Sequence, residues 1–312
     1  MLPMPLKISF STLACPNWNW HDVLRHGPAY GYDGVEIRQL GGDTNLLGVE
    51  DLLEECWDQR RRELEYANFR VCGLASSIKF DAAAHQEVDE QIAVGKGYLR
   101  LGQALGAQFI RVFGDTLPPV GESARRERIL QQIVDGLKRL GDEAAAFGIQ
   151  ILLETHGDFT SSPIAAEVMS RVDHPMVGLV WDTHHAWRFD DEPLAETWAR
   201  IRPWVRHTHW KDSVTIGEVE LTERQKHAAV AATLLMSGHK HADYVLFRGG
   251  EFPAAECLQL LLSGGYSGWH SLEWEKMWHP ELLGPEIALP LFPGKLRELL
   301  QSVNITNRPV AG

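Results

Sequence analysis

The chain has 312 residues and is 44% hydrophobic, enough for a sizeable core, and that length suits one α/β barrel without requiring a second domain. Its 42 acidic against 30 basic residues give a formal charge of −12, which disfavours nucleic-acid partners, whose capture rests on neutralising phosphates. No apolar run approaches the roughly 20 residues that span a bilayer, and Cys15, Cys56, Cys72 and Cys257 are too scattered for a disulfide framework or a thiolate zinc site, so a reducing, cytoplasmic setting is expected.

Strand and helix patterns alternate from the start. Met1 to Cys15 is read as the first strand (Lys7 to Leu13) rather than a leader, its apolar run being short and broken by Ser9, Ser11 and Thr12. His21 to Ala29 follows as a helix. Gly34 to Arg38, with Val35 and Ile37 alternating against Glu36 and Arg38, leads to a helix over Asp51 to Asn68. Phe69 to Ala75 precedes a helix over Gln86 to Ala104. Gln108 to Phe113 precedes one over Glu122 to Phe147, where Ile129, Ile133, Leu137, Leu140 and Ala144 keep helical spacing and Gly148 marks the stop. Strands at 149–154 and 177–182 lead to helices near Pro163 to Val172 and Pro193 to Ile201, Pro being well placed in a first turn. After a strand at 205–210 the segment 212–252 is too long for a simple loop; within it Glu223 to Met236 reads as helix and Tyr244 to Phe247 as an added strand. Pro253 to Ser263, His270 to Trp274 and Leu291 to Leu300 supply the seventh helix, eighth strand and eighth helix. Eight strand and helix pairs imply a single (β/α)₈ TIM barrel over residues 1–312, carrying 212–252 as an extended segment between strand seven and helix seven.

The C-terminal strand ends carry the chemistry. Apolar runs break into Glu154 with His156, Asp182 with His184 and His185, His209 with Lys211, and Glu273 with Glu275. Alternation puts His207, His209 and Lys211 on one face, Glu154 with His156 on another strand's, Glu273 with Glu275 on a third, and Glu36 with Arg38 on a fourth; Trp181, Trp210 and Trp274 fall opposite, as packing. Buried carboxylates are costly unless paired or metal-bound, so these residues need a common partner. Glu154, Asp182, His209 and Glu273 offer three carboxylates and an imidazole, −3 against a +2 ion. That set suits one divalent metal (Mn, Mg, Co, Fe or Zn, with manganese favoured). His207, two residues deeper, reads as a hydrogen-bonded support, and His185 reaches toward a substrate hydroxyl. Lys211 and Arg111 point inward at the mouth, to hold hydroxyls or a phosphate or to pair with Glu36 or Glu275. Glu36 and Glu275 complete the expected substrate-binding set.

The segments Gly31-Tyr-Asp-Gly-Val-Glu-Ile, Ile151-Leu-Leu-Glu-Thr-His, Asp182-Thr-His-His, His209-Trp-Lys-Asp and Gly265-Tyr-Ser-Gly-Trp-His-Ser-Leu-Glu, taken in order, resemble the sugar phosphate isomerase/epimerase family of xylose isomerase-like TIM barrels, the superfamily of apurinic endonuclease family 2. The resemblance implies that Glu154, Asp182, His209 and Glu273 bind one divalent metal, that Glu154 and Glu273 are the catalytic acid/base pair, and that His185 is a substrate ligand. It implies an isomerase or epimerase acting on a sugar or keto-sugar by proton abstraction next to a carbonyl, through a metal-stabilised enediolate. The alternative is a metal-dependent dehydratase acting on an inosose or 3-keto-glycoside, whose first step is the same. An abasic-site endonuclease would need further His and Asp ligands for three zinc ions, but strands three and four end in Ala75-Ser-Ser and Phe113-Gly-Asp with no His and no Asp-x-His pair follows His209, and a non-catalytic barrel would have no use for complete ligands. The expected partner is a small sugar or keto-sugar, with no nucleic acid and no membrane, and with assembly into a homo-oligomer left open.

Overall fold

Eight strands whose outer faces are apolar close on themselves because each is covered by the helix or loop that follows it. The computed structural model describes residues 6–81, 85–215 and 242–306. Its barrel strands are β1 (Lys7–Ser11), β2 (Gly34–Ile37), β3 (Arg70–Lys79), β4 (Phe109–Phe113), β5 (Gln150–Glu154), β6 (Val177–Asp182), β7 (Val205–Trp210) and β10 (Trp269–Leu272). Every barrel pairing is parallel, and β10 pairs with both β7 and β1 to close the ring. The helices are α1 (Trp20–Ala29), α2 (Trp57–Tyr66), α3 (His85–Leu105), α4 (Ser123–Ala145), α5 (Ser162–Val172), α6 (His185–Phe189), α7 (Leu194–Ile201), α8 (Ala254–Ser263) and α9 (Pro285–Thr306). The expected (β/α)₈ barrel is the observed fold. No helix among the described residues is long and apolar enough to cross a membrane.

Sequence boundaries shift where packing overrides local pattern. Residues expected to begin a helix at Asp51 form successive 3₁₀ turns instead, and the α-helix starts only at Trp57, whose indole N–H donates to the Leu52 carbonyl at 2.9 Å. The last helix begins six residues before Leu291 and runs through Pro290 and Pro293, because Ala288, Leu289, Phe292, Leu296 and Leu299 are all buried along it. Burial of that stripe outweighs the lost backbone donors. The eighth barrel strand stops at Leu272, short of Trp274, although the Glu273 N–H still donates to the Trp210 carbonyl at 3.1 Å.

The excursion after β7 is a two-stranded antiparallel ribbon, β8 (Ser213–Thr215) with β9 (Ala242–Tyr244), slightly earlier than the expected Tyr244 to Phe247. The helix expected at Glu223 to Met236 lies outside the described residues. Asp212 ties both ends of the excursion to the barrel: its carboxylate accepts backbone N–H groups from Ser213 (2.8 Å), Phe252 (3.0 Å) and Gly250 (3.1 Å). All four cysteines are free, and Cys15, Cys72 and Cys257 are buried. Trp181, Trp210 and Trp274 are buried between strands and helices, as their parity requires. Trp20 is buried at the start of α1, its indole N–H donating to Glu63.

Inside the ring, Phe109, Leu152 and Val180 form a small apolar cluster of their own beneath the polar mouth. The Phe109 ring lies over Gly73 on the paired strand, where a Cβ would come within 2.2 Å of it. Gly73→Val is therefore expected to lose about 1–3 kcal/mol of stability through overpacking, measured by denaturant unfolding. Adding Phe109→Leu should recover part of the loss, and a Gly73→Val variant as stable as wild type would contradict the packing.

Candidate active site at the barrel mouth

Asp182 ends β6 and is held by its own chain. Its Oδ1 accepts the backbone N–H groups of His184 (3.0 Å) and His185 (3.1 Å), which leaves Oδ2 facing the barrel axis. From neighbouring strands come Glu154, His209 and Glu273, and one ligand atom from each of these four buried residues lies within 4.8 Å of all the others. His209 Nδ1 is 3.1 Å from both Glu154 Oε1 and Glu273 Oε2. Its other nitrogen, Nε2, lies 2.9 Å from Glu36 Oε2, and His207 Nε2 reaches the same oxygen at 3.0 Å. Glu36 thus sits below the cluster as the partner of two histidines, and His207 is the deeper supporting histidine that its position predicts.

The cations alternate with the acids. Lys211 Nζ is 2.8 Å from Asp182 Oδ2 and 2.7 Å from Glu273 Oε2, and it donates to Glu275 Oε1. Arg111 Nε is 3.3 Å from Glu154 Oε2, so its carboxylate partner is Glu154 and not Glu36 or Glu275. His185 Nδ1 lies 3.2 Å from the Thr155 carbonyl, which only accepts; in the neutral ring the proton therefore sits on Nδ1, and Nε2 presents a lone pair to Lys211 Nζ at 3.1 Å. Glu154, Asp182, His185, His209, Lys211, Arg111, Glu273 and Glu275 share this mouth, with Glu36 beneath them. Three others share it without an assigned role. His156 lies edge-on to His185 at 5.7 Å between ring centres and against Phe113 at 4.8 Å. Tyr244, brought in by β9, packs on His184 and His279. Arg38 follows β2. Parity on their strands placed Arg38 and His156 inward, whereas nothing local signals that the ribbon returns Tyr244 to the site.

Electrostatics follow from burial against these partners. Burial raises a carboxyl and lowers an imidazole. Burial alone would raise Glu36, but the charges and hydrogen bonds of His209 and His207 outweigh it and hold Glu36 far below the usual carboxylate range. Burial would lower His209, yet Glu273, Glu36 and Glu154 drive it well above 6.5. Asp182 is pushed up to about 6, by burial first and Glu273 next, against the opposing pull of Lys211. Without an ion, the cations that face these acids are His209, Lys211 and Arg111. The donor set fits a divalent ion: three carboxylates and a histidine converge, and Asp182 Oδ2 is buried without an aligned hydrogen-bond donor.

Residues 26–289 match the family described as xylose isomerase-like TIM barrel. The chain belongs to that family. Among curated relatives, a 3-dehydroshikimate dehydratase of Bacillus anthracis is 29% identical over 200 residues, covering 61% of this chain and 65% of the relative, just under two thirds of its length. An inosose dehydratase of Bacillus licheniformis is 27% identical over 269 residues, covering 84% of this chain and 80% of the relative. Among solved structures, the IOLI protein, described with a bound zinc atom, superimposes with a TM-score of 0.73 at 20% identity over 96% of this chain and 99% of that one. At that identity the likeness speaks for the fold.

Glu36→Gln removes the anion shared by two buried histidines and should cost the metal-free protein about 3 kcal/mol. Because the Glu36 pKa is depressed in the folded state, wild type should hold its full advantage above about pH 4.5 and lose it progressively as acid is added. Denaturant unfolding of both proteins from pH 3 to pH 8 measures this, and an advantage that grows on acidification would contradict the assignment.

Proposed function

We propose that this member of the xylose isomerase-like barrels is a divalent-metal-dependent dehydratase acting on a cyclic keto-alcohol, the inosose and dehydroshikimate class. The observation that carries the proposal is the Lys211 ammonium at the rim of the ligand cluster, in contact with Asp182 and Glu273 and backed by Glu275. Dehydration requires a proton donor for a departing hydroxyl as well as a base for the carbon, and epimerisation requires no such donor. The two dehydratase relatives support the same choice.

Glu154, Asp182, His209 and Glu273 would hold the ion, which supplies Lewis acidity toward a substrate oxygen. Manganese, magnesium, cobalt, iron and zinc all suit the set, and the zinc named for the IOLI protein falls within it. Glu36 fixes the His209 ring by accepting from Nε2–H, so Nδ1 faces the cluster, in the manner of a carboxylate behind a metal-binding histidine. Arg111 keeps Glu154 ionised and aimed inward. Glu154 or Glu273 takes the proton from the carbon next to the carbonyl, the C–H pair becomes the new C=C bond, and the β C–O bond breaks. Lys211 gives its proton to the departing oxygen, which leaves as water, and Glu275 holds the lysine in place. His185 Nε2, an acceptor, orients a substrate hydroxyl. An isomerase or epimerase on a sugar would use the same glutamates and is the second reading.

Incubation of the manganese-loaded protein with 2-keto-inositol and with 3-dehydroshikimate should release water and give a product with a new C=C bond, followed by ultraviolet absorbance and mass spectrometry. Recovery of an epimer or an aldose/ketose partner from ketoses, without water loss, would favour the isomerase. Glu154→Gln and Glu273→Gln should each lower turnover by about 10² or more, and full activity of both at equal metal content would rule out the glutamates as bases.

Metal binding should also depend on pH. His209 Nδ1 must lose its proton to ligate, and its raised pKa makes that proton a competitor through neutral pH. Calorimetric titration with Mn²⁺ should show affinity rising from pH 6 to pH 8 with proton release, and His209→Asn should abolish both the slope and most of the affinity.

A further inference from the structure

The inner face of the barrel is uneven. On β3, across the ring from β7, the inward residue paired with Arg111 is Ala75, which carries only a methyl group. It is flanked by two buried guanidinium groups. Ile37 is paired with Leu74 and Ala75 with Arg111, so Arg38, Ala75 and Arg111 fall on one row across β2, β3 and β4. Two strand spacings separate the arginine Cα atoms by about 10 Å, with only a methyl group between.

Neither arginine is satisfied by the protein in the way a buried cation requires. Arg111 is 1% exposed; its guanidinium lies 3.8 Å over the Phe113 ring and reaches Glu154 only through Nε, while Nη1 is buried with no hydrogen-bond partner among the described residues. Arg38 is 7% exposed and donates to two neutral acceptors, Ser77 Oγ at 3.0 Å and the Thr44 carbonyl at 3.5 Å. Burial first and the Arg111 charge next lower Arg38 to about 10, against the opposing pull of Glu154 and Glu273. Glu154, which meets only Nε of Arg111, is the one carboxylate within ion-pair distance of either guanidinium among the described residues. A planar carboxylate matches the fork of a guanidinium.

We propose that Arg38 and Arg111 form a carboxylate subsite, so that the substrate carries an acid group on the side of its ring opposite the reacting carbon. This rests on the dehydratase reading and narrows it to anionic keto-acids over neutral keto-polyols. A bidentate guanidinium contact from Arg111 Nη1, with Arg38 from the other side, orients the ring across the mouth. Ala75 gives the carboxylate room to sit between them, and the Phe113 ring holds the Arg111 plane.

The experiment is binding, separate from turnover. Shikimate, which lacks the ketone and is not dehydrated, and its methyl ester differ only in the charge under test. Calorimetry on manganese-loaded protein should give shikimate an affinity advantage of about tenfold or more. Arg111→Lys keeps a cation beside Glu154 but loses the fork, and Arg38→Met removes a side chain that contacts no ligand of the cluster; each should erase most of the advantage while circular dichroism stays native. Equal binding of acid and ester, or an advantage that survives in both variants, would overturn the subsite. Displacement of shikimate by inorganic phosphate at lower concentration than by shikimate itself would overturn the carboxylate in favour of a phosphate. Turnover separates the two readings: dehydration of 2-keto-inositol with no preference for the acid leaves the dehydratase standing without the subsite, and shikimate binding without dehydration of either ketone does the reverse.

Discussion

Glu36, fully buried beneath the mouth, accepts from His209 and from His207. Without it two imidazoles would stand in the middle of a barrel with no anion to orient them, and the His209 ring would have no reason to aim Nδ1 at Glu154 and Glu273. Every acid above it then meets a cation: Glu154 meets Arg111, while Asp182, Glu273 and Glu275 meet Lys211. The mouth is a stack of alternating charges standing on one carboxylate. Such a stack is costly to bury, and it persists because the strand ladders fix each residue at its own height.

How much of this is legible in the sequence depends on the length scale of the signal. Strand parity is a period of two residues and survives small boundary errors, so the inward set of Glu36, Arg38, Arg111, Glu154, His209 and Lys211 could be read directly. Eight parallel strands then leave one place for all of them to meet. Pairings across the barrel are different. The sequence offered Glu36 or Glu275 as the partner of both Lys211 and Arg111; Lys211 does meet Glu275, whereas Arg111 meets Glu154, a choice set by strand stagger and side-chain length. The long last helix was hidden for another reason: Pro290 and Pro293 speak against helix locally, and only the apolar stripe from Ala288 to Leu299, pressed onto the barrel, overrides them. Tyr244 was hidden because an antiparallel ribbon returns it from the far end of a long excursion.

Asp212 illustrates how a motif residue can serve architecture beside chemistry. It follows Lys211 directly, yet its carboxylate is spent on three backbone N–H groups at the two ends of the β8–β9 excursion. Lys211 is thereby anchored from both directions, by β7 before it and by the clasp after it. A lysine has many rotamers to lose, and this anchoring restricts the backbone from which it reaches three carboxylates.

The apolar cluster of Phe109, Leu152 and Val180 under the polar layer has a consequence for traffic. With the Phe109 ring laid over Gly73 and His207 packed against it at 4.5 Å, the interior below the mouth is filled at this level. Under the proposed function, reactant and product both pass through the mouth. A product that lingers there blocks its own successor, so inhibition by product should be competitive with substrate. The mouth is framed by the loops after the strands and by the β8–β9 ribbon, so under the proposed function the timing of each cycle belongs to those loops as much as to the glutamates proposed as bases.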